Sequence, residues 1–301
     1  MGRFWAAPYM REYIELTKPR ITWLILMSTG IGYFFGLRGA ANWWDFLKNI
    51  HLLSLLNTVI GTGLIASGTA ALNQWYEREA DRKMRRTADR PLPSGKLTAG
   101  RALAFGAALS IAGFLELWLA VNLLSGLIGI FTLASYLFIY TPMKQRTWWS
   151  TTVGAIPGAM PPMIGYAAAA GAITLDAWVL AAILFLWQFP HFYSIAWMYK
   201  DDYARAGILM LPVVEPDCRS TARQIVLYGI ALIPVSLIPA MLGMSGRLYL
   251  IGALLLGLWF LYSGVRVAVE RSLARARNVL ITSVLYLPLI YGLMLIDRPG
   301  L

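Results

Sequence analysis

The 301-residue chain is poor in charge, in acid and in cysteine. Only 14% of its residues are Asp, Glu, Lys or Arg, against roughly 25% in soluble domains. Hydrophobic residues make up 58%, and the mean hydropathy is +0.60. These values exclude a disordered polypeptide and an ordinary soluble enzyme. The single cysteine, Cys218, excludes an internal disulfide and hence a disulfide-stapled scaffold. Acids number 15 against 26 bases, which leaves a formal net charge of +11. A basic balance suits nucleic acid or a membrane surface. The apolar runs are too long for a DNA-binding domain, so no nucleic-acid partner is expected and the charge is assigned to orientation in a lipid bilayer.

Spanning sequence fills the chain. A transmembrane helix needs about 20 mostly apolar residues, and nine stretches qualify: 21–38, 50–73, 101–120, 122–141, 149–170, 175–198, 224–243, 247–267 and 278–296. A tight turn at Asn122 must separate the third from the fourth. Residues 1–20 form a cytoplasmic interfacial segment, helical over 3–20 and ending at Lys18-Pro19-Arg20, with no removable signal peptide predicted. With the N-terminus in the cytoplasm, 22 of the Lys and Arg residues fall inside and 4 outside. Positive charge concentrates on the cytoplasmic side of membrane proteins. The split therefore predicts an odd number of spans, a multi-pass protein of the cell inner (cytoplasmic) membrane, and a C-terminus outside.

Eleven of the acids also fall on the cytoplasmic side. One cluster closes the second span, Asn73-Gln-Trp-Tyr-Glu77-Arg-Glu79-Ala-Asp81, and a second closes the sixth, Lys200-Asp201-Asp202-Tyr203. Asn73, Glu77 and Asp81 are spaced i, i+4, i+8, so a continuing helix would line them on one face at about 6 Å intervals. Three oxygen-bearing side chains in a row suit a hard divalent ion. Mg²⁺ keeps several waters and binds through one or two carboxylates plus substrate phosphates. Lys and Arg in the same loop could hold phosphate oxygens directly. A metal-bridged diphosphate at a wet cytoplasmic edge is thus expected, the bland alternative being a solvated loop with surface ion pairs.

Two features lie deeper. The fifth span carries three prolines and three glycines within 154–166. Broken helices are tolerated in membranes where they line a cavity or are buried in protein, which marks this span as a pocket wall. His191 follows Pro190, which should kink the sixth span. Its ring could face a cavity, bind haem iron or simply bond across helices.

In their order and wording these blocks resemble the UbiA superfamily of intramembrane prenyltransferases, and within it the heme O synthase branch. The carrying segments are Asn73-Gln-Trp-Tyr-Glu77, Asp81-Arg-Lys-Met-Arg-Arg86-Thr87, Arg90-Pro-Leu, Tyr140-Thr-Pro-Met-Lys144, Gly158-Ala-Met-Pro-Pro162, Trp187-Gln-Phe-Pro-His191 and Lys200-Asp-Asp202-Tyr203. Glu77 and Glu79 stand where the superfamily usually has Asp. The resemblance implies an all-α membrane fold of nine transmembrane helices around a central cavity, under a cytoplasmic cap, as a single domain over 1–301 with active-site loops at 74–100 and 199–223. It implies Mg²⁺ as cofactor, held by Asn73, Glu77, Asp81 and Asp202, which also make the catalytic set. Arg86, Arg90, Lys144, Lys200, Asp201 and Tyr203 become substrate contacts, and His191 a haem-pocket candidate. The implied reaction is Mg-dependent transfer of farnesyl from farnesyl diphosphate to haem b, giving haem O, with heme A synthase or a terminal-oxidase assembly pathway downstream. The rivals are a sibling prenyltransferase acting on a quinone precursor or other aromatic acceptor, an ion-coupled transporter, and a non-catalytic assembly factor. Transporters place acids near the membrane midplane on broken helices, whereas these acids crowd the cytoplasmic helix ends.

Overall fold

The computed structural model describes residues 10–37 and 49–299. The start of the interfacial segment, Arg38 and Lys48 of the first outer loop, and Leu301 lie outside the described residues. Every regular element among those described is helical. In chain order they are α1 (Met10–Leu16), α2 (Pro19–Gly36), α3 (Asn49–Lys83), α4 (Ala99–Ala120), α5 (Leu123–Ala134, continued by a π-helical turn Ser135–Tyr140 and a last turn Thr141–Met143), α6 (Ser150–Gly158), α7 (Pro161–Ala170), α8 (Leu175–Met198), α9 (Lys200–Arg205), α10 (Leu211–Val214), α11 (Arg219–Met241), α12 (Arg247–Val269) and α13 (Leu273–Ile296).

Seven of the described helices are long and apolar enough to cross a bilayer: α3, α4, α5 with its continuation to Met143, α8, α11, α12 and α13. The first and fifth predicted spans take other forms. α2 is an 18-residue helix. The fifth span is broken, as its prolines foretold, into α6 and α7 about Ala159-Met160. Pro161 and Pro162 have no N–H to offer the turn before them. The predicted turn between the third and fourth spans is tight: Asn122 caps α5 by accepting from the Ser125 N–H at 2.9 Å, and its own N–H bonds Leu117 O at 2.8 Å.

One correction bears on the site. The predicted loop at 74–100 starts as helix, because α3 runs unbroken through the acidic motif to Lys83. Nothing in Gln74–Lys83 stops it, there being no Gly or Pro, and Arg82 and Lys83 complement its C-terminal dipole. The 199–223 loop is likewise structured, holding α9, α10 and the first turn of α11. α8 runs through Pro190 without a break.

Helices here pack through small residues, as in bilayers generally, where close backbone approach replaces a hydrophobic drive. α2 lies so near α7 that a Cβ on Gly32 would overlap the Pro162 carbonyl, and one on Gly165 the Thr29 carbonyl. Both obstacles are backbone. Gly165→Val is therefore expected to cost about 1–3 kcal/mol, seen as a lower Tm in detergent. Gly100→Ala, with nothing within 4 Å of its Cβ, should leave Tm unchanged or raise it. α8 is the most enclosed of the seven long helices and packs against α6, α7, α11 and α13. Beyond α13, Arg298 donates to the carbonyls of Phe34 (2.9 Å) and Leu37 (3.0 Å), tying the C-terminal segment to the end of α2.

Candidate active site

The unbroken α3 puts Asn73, Glu77 and Asp81 on one face, as their spacing requires. The face is not wet. Asp81 is 1% exposed, Asn73 is buried and Glu77 is largely so. Isolated buried carboxylates are costly, and each of these has a cation. Arg90 Nη1 donates to Asp81 Oδ2 at 2.8 Å, and Lys144 Nζ to Glu77 Oε1 at 2.8 Å. The solvated-surface alternative fails on this burial.

Local structure delivers the cations. α5 passes through a π-helical turn over Ser135–Tyr140 before its last turn, Thr141–Met143. π-turns of this kind often mark functional sites. This one sets Lys144 Nζ 4.5 Å from the Tyr140 ring centre and 5.9 Å from that of Tyr136. Burial by itself would lower the Lys144 ammonium. The adjoining Glu77 carboxylate and the two tyrosines outweigh it and hold the group well above the ordinary lysine value. Thr141 Oγ1 accepts from Asn73 Nδ2 at 3.3 Å, tying the motif to this turn.

A residue outside the predicted set completes the cluster. Lys18 precedes α2 with a left-handed backbone, φ 48°, which costs a non-glycine residue roughly 1–2 kcal/mol. Pro19 then starts the helix in its favoured first-turn position. Lys18 Nζ donates to Asn73 Oδ1 at 3.4 Å. Burial, reinforced by Arg90 and Lys144, pushes its ammonium down to about 8, against the opposing pull of Glu77 and Asp81. The sequence signal was present: a lysine before a proline at the mouth of the first span. Three cations thus surround two carboxylates, leaving one surplus positive charge.

The second motif divides. The Asp202 carboxylate accepts from the backbone N–H groups of Arg85 (3.3 Å) and Arg86 (3.4 Å) and pairs with Arg205. It therefore grips the turn that leaves Asp81, where Thr87 Oγ1 bonds the Asp81 carbonyl at 2.8 Å. Arg86 reaches the Tyr203 hydroxyl at 3.3 Å and lies 4.8 Å over the Tyr199 ring. Leu209 N–H bonds the Lys144 carbonyl at 2.7 Å, joining this segment to the first cluster. Lys200 and Asp201 are not gathered in: Lys200 turns to the Pro216 carbonyl at 3.4 Å, and Asp201 is exposed.

All the candidate donors are oxygens. Among the described residues no three His, Cys, Asp or Glu side chains form a metal cage. Two carboxylates and one amide oxygen on α3 are too few for a protein-only site. They suit an ion such as Mg²⁺ that keeps waters and takes its remaining ligands from substrate phosphates. The residues fit the implied metal on those terms.

His191 lies apart, at the α8–α13 boundary. Its Nδ1 is 2.8 Å from Ser283 Oγ, and its ring stacks on Trp187 at 4.7 Å. Trp187 Nε1 in turn donates to the Ser283 carbonyl at 2.8 Å. Nε2 has no partner among the described residues.

The pattern of the UbiA prenyltransferase family matches residues 25–287. The chain belongs to that family. A protoheme IX farnesyltransferase of Solibacter usitatus is 85% identical over 292 residues, covering 97% of this chain and all of that one. One of Koribacter versatilis is 44% identical, covering 97% and 94%. Among solved structures, a digeranylgeranylglyceryl phosphate synthase superposes with a TM-score of 0.75 at 18% identity, covering 97% of this chain and 99% of that one. A UbiA homologue from Archaeoglobus fulgidus bound to GPP and Mg²⁺ gives 0.59 at 16% identity, covering 94% and 99%. At such identities the likeness establishes the UbiA fold alone.

Proposed function

We propose that this UbiA-family chain transfers farnesyl from farnesyl diphosphate to the vinyl group of haem b, with water addition, to give haem O. The observation that carries the chemistry is the cluster at the end of α3, two buried carboxylates among three cations. Its surplus positive charge complements a magnesium diphosphate, which stays net negative. The acceptor and the chain length rest on the relatives' protoheme IX farnesyltransferase names.

Asn73, Glu77 and Asp81 would hold Mg²⁺, with Asp202 joining from the facing segment. Bound there, the ion would stabilise charge on the departing diphosphate. Lys18, Arg90 and Lys144 bind the phosphate oxygens by charge-assisted hydrogen bonds and stabilise the negative charge that grows on them as the C–O bond breaks. Arg86 and Tyr203 close the cytoplasmic side, while Lys200 and Asp201 stand at its rim. The allylic cation is attacked by the haem vinyl carbon, and water captures the cation next to the porphyrin. Apolar walls, the broken α6–α7 among them, keep water from the first cation.

In this reading the chain makes nine crossings of the inner membrane around a central cavity, α2 and the α6–α7 pair supplying the two beyond the seven long helices. A reporter fused after Leu301 should then be active only outside the cytoplasm. A cytoplasmic signal would remove one crossing.

His191 contacts haem through Nε2, its ring fixed by Ser283 and Trp187. His191→Ala should weaken haem b binding about tenfold and shift the Soret band, leaving farnesyl diphosphate affinity unchanged, a loss of roughly one polar contact. A variant with an unaltered haem spectrum but a lower Tm would make His191 a helix-to-helix strut.

The deciding experiment incubates the purified protein with haem b, farnesyl diphosphate and Mg²⁺ and looks for haem O by mass. No haem O, together with prenylation of a quinone precursor, would move the chain to the sibling reaction.

A further inference from the structure

Several arginines on the cytoplasmic face of this protein are spoken for. Arg82 pairs with Glu79, Arg90 with Asp81, Arg205 with Asp202 and Arg275 with Glu270. Arg86 covers two tyrosine rings and Arg266 bonds the Tyr262 hydroxyl. Of the arginine side chains without such a partner, three are gathered in one place. Arg219, Arg223 and Arg271 line one cavity of about 580 Å³, where α11 begins and just past the end of α12. Among the described residues none of their side chains makes an ion pair or a hydrogen bond. The cavity has one acid, Asp217, whose Oδ1 already accepts from the Arg219 backbone N–H at 3.0 Å. Its remaining walls are Ala222 and Ala268, small enough to leave the space open.

The cavity stands at a particular height. α11 follows directly on the α8–α10 segment that carries Asp202, so the cavity lies on the same membrane face as the acidic motifs. Along α11 the stripe Arg219, Arg223, Leu227, Ile230 advances by i+4, i+4 and i+3, which keeps one helix face. Its first two members are exposed cations and its last two are exposed apolar side chains, 58% and 51% accessible. On α12, Val265 lies one turn deeper than Ala268 and is also exposed. The surface thus passes from guanidinium to aliphatic within about three turns of helix. General positive-inside bias accounts for cations at this level. It does not account for three unpaired ones turned on a shared cavity above an apolar track.

We infer that this cavity is a binding site for the headgroup phosphate of an anionic phospholipid of the cytoplasmic leaflet, its acyl chains lying along Leu227, Ile230 and Val265. Guanidinium forks match phosphate oxygens, and basic pockets between transmembrane helices on the cytoplasmic side take anionic headgroups. The site lies outside the Glu77–Asp81 cluster and shares none of its residues.

The test uses the full chain, delipidated in neutral detergent and titrated with phosphatidylglycerol, with bound lipid counted by native mass spectrometry. Wild-type protein is expected to retain phosphatidylglycerol in preference to phosphatidylcholine when both are offered. The triple variant Arg219→Gln/Arg223→Gln/Arg271→Gln should bind phosphatidylglycerol roughly a hundredfold more weakly, from about a fivefold loss per arginine near the surface. Arg82→Gln, which removes an exposed but paired arginine, should change nothing. Equal retention of the two lipids by the wild-type protein would overturn the proposal, and that measurement needs no variant. So would undiminished binding by the triple variant. Inorganic phosphate competing at the same concentration as the lipid would overturn it too, leaving a free-anion site. Neither haem nor a prenyl substrate is present, so the result stands apart from the prenyl-transfer assignment.

Discussion

Asp81→Asn is expected to lower turnover by about 10³-fold while the protein still inserts and folds. The substitution keeps the shape of a side chain that is 1% exposed but removes its charge, and the charge has two uses. In the structure it neutralises Arg90 at 2.8 Å. In the proposed reaction it is one of three carboxylates for the metal, with Glu77 and Asp202. Losing the first leaves Arg90 without its counter-ion. Arg90 keeps about a quarter of its side chain in contact with solvent, so the stability cost should sit near the low end of about 1–3 kcal/mol. Losing the second removes electrostatic stabilisation of the leaving diphosphate, where single groups are worth about 10²–10³ in rate, and here the metal is lost with it. Single-turnover assays and thermal unfolding on the same preparation separate the two effects. EDTA should reproduce the kinetic loss in wild-type protein, and added Mg²⁺ should reverse it. An Asp81→Asn enzyme that keeps a tenth or more of wild-type turnover would remove Asp81 from the metal site.

Why the acidic face was legible while its setting was not follows from what each depends on. The i, i+4, i+8 spacing of Asn73, Glu77 and Asp81 is a local property of one helix, and α3 realises it. Burial is not local. The face is covered by Lys18 from before α2, by Arg90 from beyond α3 and by Lys144 from just past the π-turn that continues α5, segments 55 to 67 residues away in the case of the two lysines. Arg90 belongs to the same predicted loop, but nothing near Glu77 in the sequence announces the two lysines. The sequence neighbours of Lys18 are those of an interfacial anchor. Its contact with the acidic face appears only when the left-handed turn aims it at Asn73. Asp202 was legible as a motif, but its bonds to the Arg85 and Arg86 N–H groups depend on how two cytoplasmic segments meet. The broken fifth span could be read because proline and glycine act on their own backbone.

Lys144→Gln should raise KM for the prenyl diphosphate and lower kcat, together about 10²-fold in kcat/KM. Lys144 is 7% exposed, bonded to Glu77 and set against Tyr140 and Tyr136. Their bond uses only Oε1 of Glu77 and one N–H of Lys144, so in the proposed reaction the second oxygen could face the metal and the remaining N–H groups a phosphate. Lys144→Arg should not restore activity, because a planar fork does not replace a compact ammonium in a space bounded by two rings. Stability supplies the decisive contrast. Removing one partner of a buried pair strands the other charge, whereas removing both is far less costly. Glu77→Gln and Lys144→Gln alone should each lower Tm, and the double variant should recover most of that loss, a coupling that a double-mutant cycle measures. Activity should not follow stability: the double variant, however well folded, lacks both a metal ligand and a phosphate ligand and should remain inactive. If it regained turnover along with Tm, Glu77 and Lys144 would be a staple between α3 and the π-turn, and the diphosphate would have to be held by Lys18 and Arg90 without them.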